Sequence, residues 1–419
     1  MSGGSARVLA AERLPWLQAG PLVRLLNVLD ANGEEARVVG GAVRNALLDL
    51  AVEEIDVATT AVPEEVVRRA AGADFHAVPT GIEHGTVTVV VDGKPFEVTT
   101  LREDIETFGR HAKVRFGRDW QKDAERRDFT INALFLARDG RVVDFVGGLA
   151  DIEARRVRFI GDPDARIGED YLRVLRFFRF HAAYAEGAPN AAGLAACIRA
   201  RNELAALSRE RVRAELLKLL TAKHAVPTAA VMAETGLLGG VLGGVPLLAG
   251  FANMAKAERA LGFEADAIRR LAALAVFVTE DAERLRERLR LANAEFRRLE
   301  SMGDRWWQVS PSRGEAAARA LLYRIGAEDF RDRALLALAR SPAKADDRAW
   351  HEWIALPARW MPPKFPLAAK DFVDRGVAKG PALGAALARA EAAWIEGGFP
   401  LEAARLAAIA DAATTVGKG

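Results

Sequence analysis

The sequence predicts an α+β fold in which a strand-containing head is followed by an all-helical neck, body and tail. In the first 150 residues, apolar segments of strand length alternate with turns rich in Gly, Asp and Asn. From about Ala225 onward the chain is rich in Ala, Leu and Arg with short breaks, a composition typical of consecutive helices. We therefore predict a head over residues 1–150, a neck over 151–240, and a body and tail over 241–419.

Composition bounds the class of protein. The chain has 419 residues, half of them hydrophobic, which is enough for a large core in two or more domains. The formal net charge is only +2, so any affinity for nucleic acid must come from where the basic residues lie. Cys197 is the only cysteine, which excludes a disulfide framework and a cysteine-based zinc site. With no long apolar segment, we expect no membrane association and a cytoplasmic location.

The first elements include a glycine turn suited to binding an anion. A lead-in helix is predicted over residues 14–31, ending near Gly33. Residues 37–60 then follow the order strand, Gly-Gly turn, short helix, loop and strand. Gly40 and Gly41 let the backbone approach a ligand closely, and a helix that begins behind them presents free amides to an anion. This segment therefore predicts a phosphate cradle.

Two carboxylates follow the cradle. Glu54 and Asp56 are two residues apart on the predicted second strand, which places both on one face, roughly 7 Å apart along the backbone. Alone, such a pair is usually a solvated strand face. Beside a phosphate cradle, it predicts a site for divalent metal ions.

A hairpin supplies a third carboxylate. After a helix predicted over residues 63–71, the segment 86–100 forms two strands around an Asp-Gly turn. Glu97 alternates with Phe96 and Val98, so it faces the site if these two face the core.

A polar stretch and a basic motif complete the predicted head. Residues 101–123 are predicted to be a long, functional or mobile loop. In the motif RRDFTINAL at 126–134, Arg126 and Arg127 suit triphosphate or RNA phosphates, and Asn132 suits a ribose hydroxyl. A basic surface turn would explain the arginines alone, but not the whole motif.

A helix predicted over residues 165–181 carries Asp170, Arg173 and Arg176 on its polar face. Asp170 accepts a hydrogen bond from an exocyclic amino group, and Arg173 donates one to the adjacent ring nitrogen. Cytosine and adenine both offer this pattern, whereas guanine and uracil oppose it. Unpaired buried groups reject the wrong base by roughly 10⁴ or more. An ordinary surface ion pair is the alternative.

Together these motifs resemble the class II tRNA nucleotidyltransferases, which comprise CCA-adding enzymes and their poly(A) polymerase relatives. The family pattern G-G-x-V-R-D, L-L-G, D-x-D appears from Gly40 to Asp56, R-R-D-F-T-x-N-A at 126–133, and E-D-x-x-R at 169–173. The chain departs from that pattern at four positions, which are Asn45 and Glu54 in place of Asp, Asp49 in place of Gly, and Phe145 in place of Pro.

The resemblance implies a polymerase-beta-like nucleotidyltransferase head with a mixed sheet, and template-independent addition of C, C and A to tRNA 3′ ends from CTP and ATP. It also implies Mg²⁺ as cofactor, with tRNA, ATP and CTP as partners; no obligate protein partner is evident. The implied catalytic residues are Glu54, Asp56 and Glu97, with Glu54 and Asp56 as metal ligands. The implied nucleotide-binding residues are Gly40, Gly41, Arg44, Arg127, Asp128, Asn132, Asp170, Arg173, Arg176 and Arg179.

The helical half offers basic residues for RNA. Residues 284–298 carry arginines at helical spacing, which suits phosphates along a tRNA arm, although a solvated face explains any one of them equally well. The candidate RNA-binding residues are Arg284, Arg288, Arg297 and Arg298. Two other functions stay open, a poly(A) polymerase and an RNA-binding relative whose catalysis is weakened by Glu54.

Overall fold

The computed structural model describes residues 5–108 and 111–415. The chain divides into two compact units, Met1–Val241 and Leu242–Gly419, and the strands of the described chain lie in the first. The finer division into head, neck, body and tail stays a prediction. The strands are β1 (Ser5–Val8), β2 (Ala36–Val39), β3 (Asp56–Thr59), β4 (His76–Gly81), β5 (Thr86–Val91), β6 (Lys94–Thr100), β7 (Arg102–Phe108), β8 (His111–Phe116), β9 (Leu134–Leu136) and β10 (Arg141–Asp144).

Eight of these strands form one mixed sheet in the order β1-β10-β9-β2-β3-β6-β5-β4. Its pairings are antiparallel except that of β3 with β6, which is parallel. The strands β7 and β8 form a separate antiparallel pair. The predicted α+β fold with a mixed-sheet head followed by helices is therefore confirmed.

Helices flank the sheet and then make up the remainder of the described chain. No helix in the described ranges is both long and apolar enough to span a lipid bilayer. Those of the first unit are α1 (Gly20–Leu29), α2 (Gly41–Leu47), α3 (Pro63–Gly72), α4 (Trp120–Glu125), α5 (Gly148–Glu153), α6 (Pro163–Glu169), α7 (Leu172–Tyr184), α8 (Ala191–Arg199), α9 (Arg209–Leu220) and α10 (Ala225–Glu234), with α11 (Leu237–Leu242) at its end. Those that follow are α12 (Leu248–Ala260), α13 (Ala267–Ala275), α14 (Thr279–Leu289), α15 (Asn293–Gly303), α16 (Gly314–Arg340), α17 (Arg348–Ile354), α18 (Leu356–Arg359), α19 (Ala369–Val373), α20 (Pro381–Glu396) and α21 (Ala403–Thr415).

The predicted hairpin is confirmed at its stated bounds, because β5 and β6 pair across a turn in which Asp92 and Gly93 both have positive φ. Alternation along β6 buries Phe96 and Val98 and leaves Glu97 exposed, as predicted. The parallel pairing of β3 with β6 places Glu97 directly beside Asp56. The sheet thus brings together two carboxylates that are far apart in the chain.

Four local predictions need correction. Residues 14–31 form a short 3-10 turn followed by α1, because Pro21 begins a new helix by occupying its first turn. Glu54 lies in the loop before β3 rather than on the strand. Residues 101–123 are not an irregular loop, since they contain β7, β8 and the start of α4. The predicted helix over 165–181 is interrupted at Asp170, which has extended backbone angles.

A helix cluster held by buried ion pairs forms part of the second unit. Glu258 on α12 accepts hydrogen bonds from both Arg269 and Arg270 on α13, and Arg269 also donates to Asp332 on α16. All four side chains are buried. Such pairs fix the packing of these helices, because removing one partner would leave a buried charge without compensation.

We predict that Gly148→Ala destabilises the first unit. A Cβ on Gly148 would lie 2.3 Å from the Thr130 carbonyl oxygen and 3.0 Å from Leu134, so the backbone must shift. Overpacking of this kind costs about 1–3 kcal/mol in the free energy of unfolding, which urea titration measures. Gly72→Ala is the matched control, because its Cβ would meet nothing within 4 Å and its φ is not positive. Equal stability of the two variants would contradict the prediction.

Candidate active site

An open cleft of about 590 Å³ in the first unit collects most of the predicted site residues. Its lining contains seven arginines and four carboxylates, so it is strongly attractive to anions. Every residue predicted to bind nucleotide lies here, together with Glu54 and Asp56. The lining consists of Arg44, Arg126, Arg127, Arg173, Arg176, Arg179, Arg211, Glu54, Asp56, Asp128, Asp170, Gly40, Gly41, Asn132, Leu172 and Phe180.

The three predicted catalytic carboxylates meet at one end of this cleft. Asp56 and Glu97 are register partners on β3 and β6, and Glu54 joins them from the preceding loop. All three line a second cavity of about 670 Å³, so Glu54 and Asp56 border both cavities. Partial desolvation, and then the charge of Glu97, raise the pKa of Asp56, while Arg127 lowers it. Like charges held this close form an attractive site for a cation.

The glycine turn forms the floor of the cleft. Gly40 has φ 74° and ψ −123°, a conformation in which a side chain would be strained, and its amide donates to the Leu134 carbonyl. A Cβ on Gly40 would point towards Arg127 and the backbone of Asn132. The absence of side chains here leaves the backbone open to a ligand, as the sequence predicts.

Arg44 is a buried cation whose hydrogen-bond partners are all neutral. Its guanidinium donates to Asn132 Oδ1 at 2.6 Å, Tyr184 Oη at 2.8 Å and Asn45 Oδ1 at 2.9 Å. It also lies 4.0 Å from the centre of the Tyr184 ring. Burial lowers the pKa of Arg44, because the charged form is only partly compensated. An anion entering the cleft would supply the missing opposite charge.

Asp123 orients the two arginines of the basic motif. This carboxylate is buried, and it accepts hydrogen bonds from Arg126 at 2.6 Å and from Arg127 at 2.9 Å. Burial alone would raise the pKa of Asp123, but Arg127 and Arg126 outweigh burial and lower it. Sequence reasoning missed Asp123, although its spacing of three and four residues from the arginines was a usable signal.

Asp128 joins the motif to helix α7. Its Oδ2 accepts from Arg176 Nε at 2.7 Å, and its Oδ1 accepts from the Phe129 amide and the Asn132 side chain. Burial would raise the pKa of Asp128, but the nearby Arg176 guanidinium lowers it below the ordinary value. Because Asn132 donates to Asp128 and accepts from Arg44, it links the two charged groups.

The base-reading pair departs from the predicted geometry. Asp170 lies between α6 and α7, where its Oδ1 caps α7 by accepting from the Leu172 amide. Its Oδ2 accepts from Arg211 at 2.6 Å, and Arg173 is ion-paired with Glu169. The two side chains therefore share the cleft without lying on one helix face. The fully buried Phe177, expected at the edge of the polar face, is a further correction.

Three contributors to the site were absent from the predicted set. Phe180 lies beneath the arginines, with the Arg179 guanidinium 3.9 Å and that of Arg44 5.3 Å from its ring centre. Tyr184 holds Arg44, and Glu215 on α9 pairs with Arg179. Aromatic residues on a helix usually belong to the core, so the sequence gave no signal that distinguished these two.

Comparison with known proteins decides the family. A protein named CCA tRNA nucleotidyltransferase 1, mitochondrial, from Mus musculus is 33% identical over 386 residues, covering 91% of this chain and 87% of that protein. The chain belongs to the CCA tRNA nucleotidyltransferase family. A family model described as Poly A polymerase head domain matches residues 36–158, and one described as Probable RNA and SrmB- binding site of polymerase A matches residues 192–249.

Other members of the family match over shorter segments. The Danio rerio protein of the same name is 44% identical over 219 residues, or 52% of this chain and 51% of that protein. The CCA-adding enzyme of Leuconostoc citreum is 38% identical over 226 residues, or 53% and 54% of the respective chains. In these two alignments the chain spans about half the length of its relative.

A solved structure supports the fold of this family member. The Bacillus stearothermophilus CCA-adding enzyme in complex with CTP superposes with a TM-score of 0.76 at 27% identity, covering 95% of this chain and 99% of that chain. The Thermotoga maritima CCA-adding enzyme complexed with tRNA, at 19% identity, has a TM-score of 0.70 and covers 97% and 99%. The likeness therefore extends through the second, helical unit.

We predict that Asp128→Asn destabilises the protein in a pH-dependent way. The native pKa of Asp128 lies below its unfolded value of about 3.9, so its contribution is complete above about pH 5 and is lost as the pH falls through the native pKa. The variant should lose about 1.5–3 kcal/mol at pH 7, the worth of a hydrogen bond between charged groups. Urea unfolding between pH 7 and pH 3 checks this.

The control for this prediction is Asp49→Asn. Asp49 is exposed and pairs with Arg13 at the surface, so its removal should change stability little at either pH. A difference between parent and Asp128→Asn that stays constant from pH 7 to pH 3 would contradict the assignment.

Proposed function

We propose that this protein adds C, C and A to the 3′ ends of tRNA from CTP and ATP, without a nucleic-acid template and with release of pyrophosphate. The observation that carries the proposal is one cleft that joins three clustered carboxylates to a buried Arg44 with only neutral partners. That combination suits a nucleoside triphosphate whose α-phosphate lies near the carboxylates. The names of the mouse and bacterial relatives support tRNA as the acceptor.

The carboxylates fit a divalent metal ion, which nucleotidyltransferases of this family use, and we propose Mg²⁺. Glu54, Asp56 and Glu97 offer only oxygen ligands, the type that Mg²⁺ prefers. Within the described ranges, no three acidic, His or Cys side chains form a ready-made cage. This agrees with Mg²⁺, which is commonly held by one or two carboxylates together with water and substrate phosphates. When bound, the metal would activate the RNA 3′-hydroxyl and stabilise the leaving pyrophosphate.

The chain's own residues would hold the rest of the nucleotide. Gly40 and Gly41 leave room for phosphate oxygens, and Arg44 and Arg127 would neutralise their charge. Arg44 is already buried and fixed by Asn132 and Tyr184, so its positioning costs little when the nucleotide binds.

Asp170 and Arg173 would read the base. The Asp170 carboxylate uses one acceptor site on each oxygen, for Leu172 and Arg211, and keeps capacity for an amino group of the base. The printed bonds of Arg173 leave from Nη1 alone, so its other N–H groups remain for a ring nitrogen. The pair would admit cytosine and adenine, as the sequence predicts, although its members come from separate segments.

The RNA contacts proposed for the second unit are narrower than the sequence predicts. Arg298 donates to Asp266 and Asp332, and Arg284 is ion-paired with Asp281, so both stabilise the packing of their own helices. The side chains of Arg288 and Arg297 are exposed, and we keep these two as RNA-binding residues. A cytoplasmic location and the absence of an obligate protein partner also remain proposals.

The function is tested with labelled tRNA that ends before CCA, incubated with Mg²⁺ and CTP, ATP or both, and resolved on a denaturing gel. We expect two additions with CTP and three with both nucleotides. Long ladders with ATP would indicate a poly(A) polymerase. Binding without extension would indicate an RNA-binding relative weakened by Glu54.

We predict that Asp56→Asn abolishes addition. The loss of one carboxylate between two others removes several kcal/mol of stabilisation of the reacting charges, or about 10³-fold or more in rate. The same gel, quantified over time, measures the rate. Glu53→Gln is the control, because Glu53 borders the same cavity but is not among the three proposed catalytic residues. Addition by Asp56→Asn at the parent rate would refute the proposed function.

We predict that Arg173→Ala relaxes the choice of base. Without this donor, the parent's preference for CTP over UTP, about 10⁴ in favourable cases, should fall by about ten- to hundredfold. Single-turnover incorporation of each nucleotide measures the ratio. Arg199→Ala is the control, because Arg199 pairs with Asp164 on the exposed surface outside the cleft. An unchanged ratio in Arg173→Ala would remove Arg173 from base selection.

A further inference from the structure

The second unit contains a basic cavity that the proposed chemistry does not use. It has a volume of about 300 Å³, at the lower end of the range for small-ligand sites, about 300–1,000 Å³. Arg305, Arg313, Arg324 and Arg333 line it, and we call it the arginine pocket. Asp304 is the one carboxylate in its lining. The pocket thus carries a clear excess of positive charge.

The arginines of this pocket are poorly neutralised. Asp304 serves both Arg333, at 3.3 Å, and Arg305, at 3.6 Å. Arg313 donates only to the Gln308 carbonyl among its printed bonds, and in the described part of the chain no hydrogen bond or ion pair involves Arg324. By contrast, the buried arginines of α13 each contact one or two carboxylates. The uncompensated charge is therefore specific to the pocket.

Buried donors in the same wall also lack acceptors. Arg333 and Trp353 are both buried, and Arg333 Nε and Trp353 Nε1 have no hydrogen-bond partner in the structure. Burial lowers the pKa of Arg333, with Asp304 compensating only in part. Unsatisfied donors of this kind are uncommon, and each is costly in the absence of an acceptor. An anion with several oxygen atoms would reduce the cost of this concentration of donors and charge.

The surroundings of the pocket favour a nucleic acid as the source of that anion. Arg324 also lines an adjoining cavity of about 770 Å³ that contains Lys364, so basic residues continue from one cavity to the next. Trp307 follows Arg305 closely in the chain, and its side chain is 54% exposed. Exposed aromatic rings beside arginines are typical of surfaces that stack bases while binding phosphates.

We propose that the arginine pocket binds one phosphate group of the RNA backbone. This inference rests on the proposed function only for the identity of the RNA, which is tRNA. The pocket contacts a phosphate through Arg313 and Arg324, while Arg305 and Arg333 contribute positive charge from the wall. It holds the acceptor RNA and takes no part in the chemical step.

The test is tRNA binding by the full chain, measured by filter retention across a range of salt concentrations without nucleotide. Arg313→Ala/Arg324→Ala should bind about tenfold more weakly or worse at 0.15 M salt, since a charged contact is lost. The slope of log affinity against log salt should become shallower by about 0.7–0.9, the value for one phosphate. The control is Arg259→Ala/Arg348→Ala, which removes two exposed arginines outside the pocket.

Kinetics and a free anion separate the outcomes. The pocket variant should show a raised KM for tRNA with unchanged kcat and unchanged KM for CTP. Equal losses of affinity in the pocket and control variants would overturn the proposal, because they would indicate a general charge effect. Thermal stabilisation by inorganic phosphate in the parent but not in the pocket variant, with unchanged tRNA affinity, would overturn the RNA source in favour of a free phosphate.

The design also separates this proposal from the proposed function. If the parent binds tRNA but does not extend it, CCA addition fails while the salt data still decide the pocket. If the parent extends tRNA and the pocket variant binds it as the parent does, the arginine pocket is refuted and the function stands.

Discussion

The first unit depends on holding many arginines in one cleft without mutual repulsion. Each buried carboxylate there serves more than one partner, because Asp123 binds Arg126 and Arg127, and Glu215 lies near Arg176 and Arg179. Asp128 joins the motif after α4 to Arg176 on α7. These ion pairs fix the side chains before any ligand arrives, which is the condition for strong electrostatic binding at low reorganisation cost.

The compensation is incomplete at the positions where a ligand would enter. Arg44 has only neutral hydrogen-bond partners, and the carboxylates Asp56 and Glu97 are held side by side with no cation between them in the chain itself. The cleft therefore has one end that attracts anions and another that attracts cations. A nucleoside triphosphate with its metal ion complements both ends at once.

The departures from the family pattern fit this arrangement. Asn45, which stands where the family has Asp, accepts a hydrogen bond from Arg44 and leaves its positive charge uncompensated. Glu54 reaches the carboxylate cluster from a loop rather than from β3. A loop position lets the backbone adjust to the extra methylene of Glu, which a fixed strand position would not.

Sequence alone determined the elements whose signal is local. The hairpin of β5 and β6, the outward-facing Glu97, and the glycine turn before α2 follow from alternation and turn chemistry, which act over a few residues. The sequence did not reveal the break at Asp170, the hairpin of β7 and β8, or the paired state of Arg284 and Arg298. Those features depend on partners distant in the chain, such as Arg211 for Asp170 and Asp332 for Arg298.

Tertiary structure also decided which charges remain available. Composition counts nearly equal numbers of basic and acidic residues, 59 and 57, and motifs name the candidates. Only the packing shows that Asp123 and Asp128 neutralise some arginines while Arg44 and Arg324 keep their charge. The physical reason is that Coulomb energy depends on distance and burial, which sequence spacing specifies within one helix or strand but not between elements.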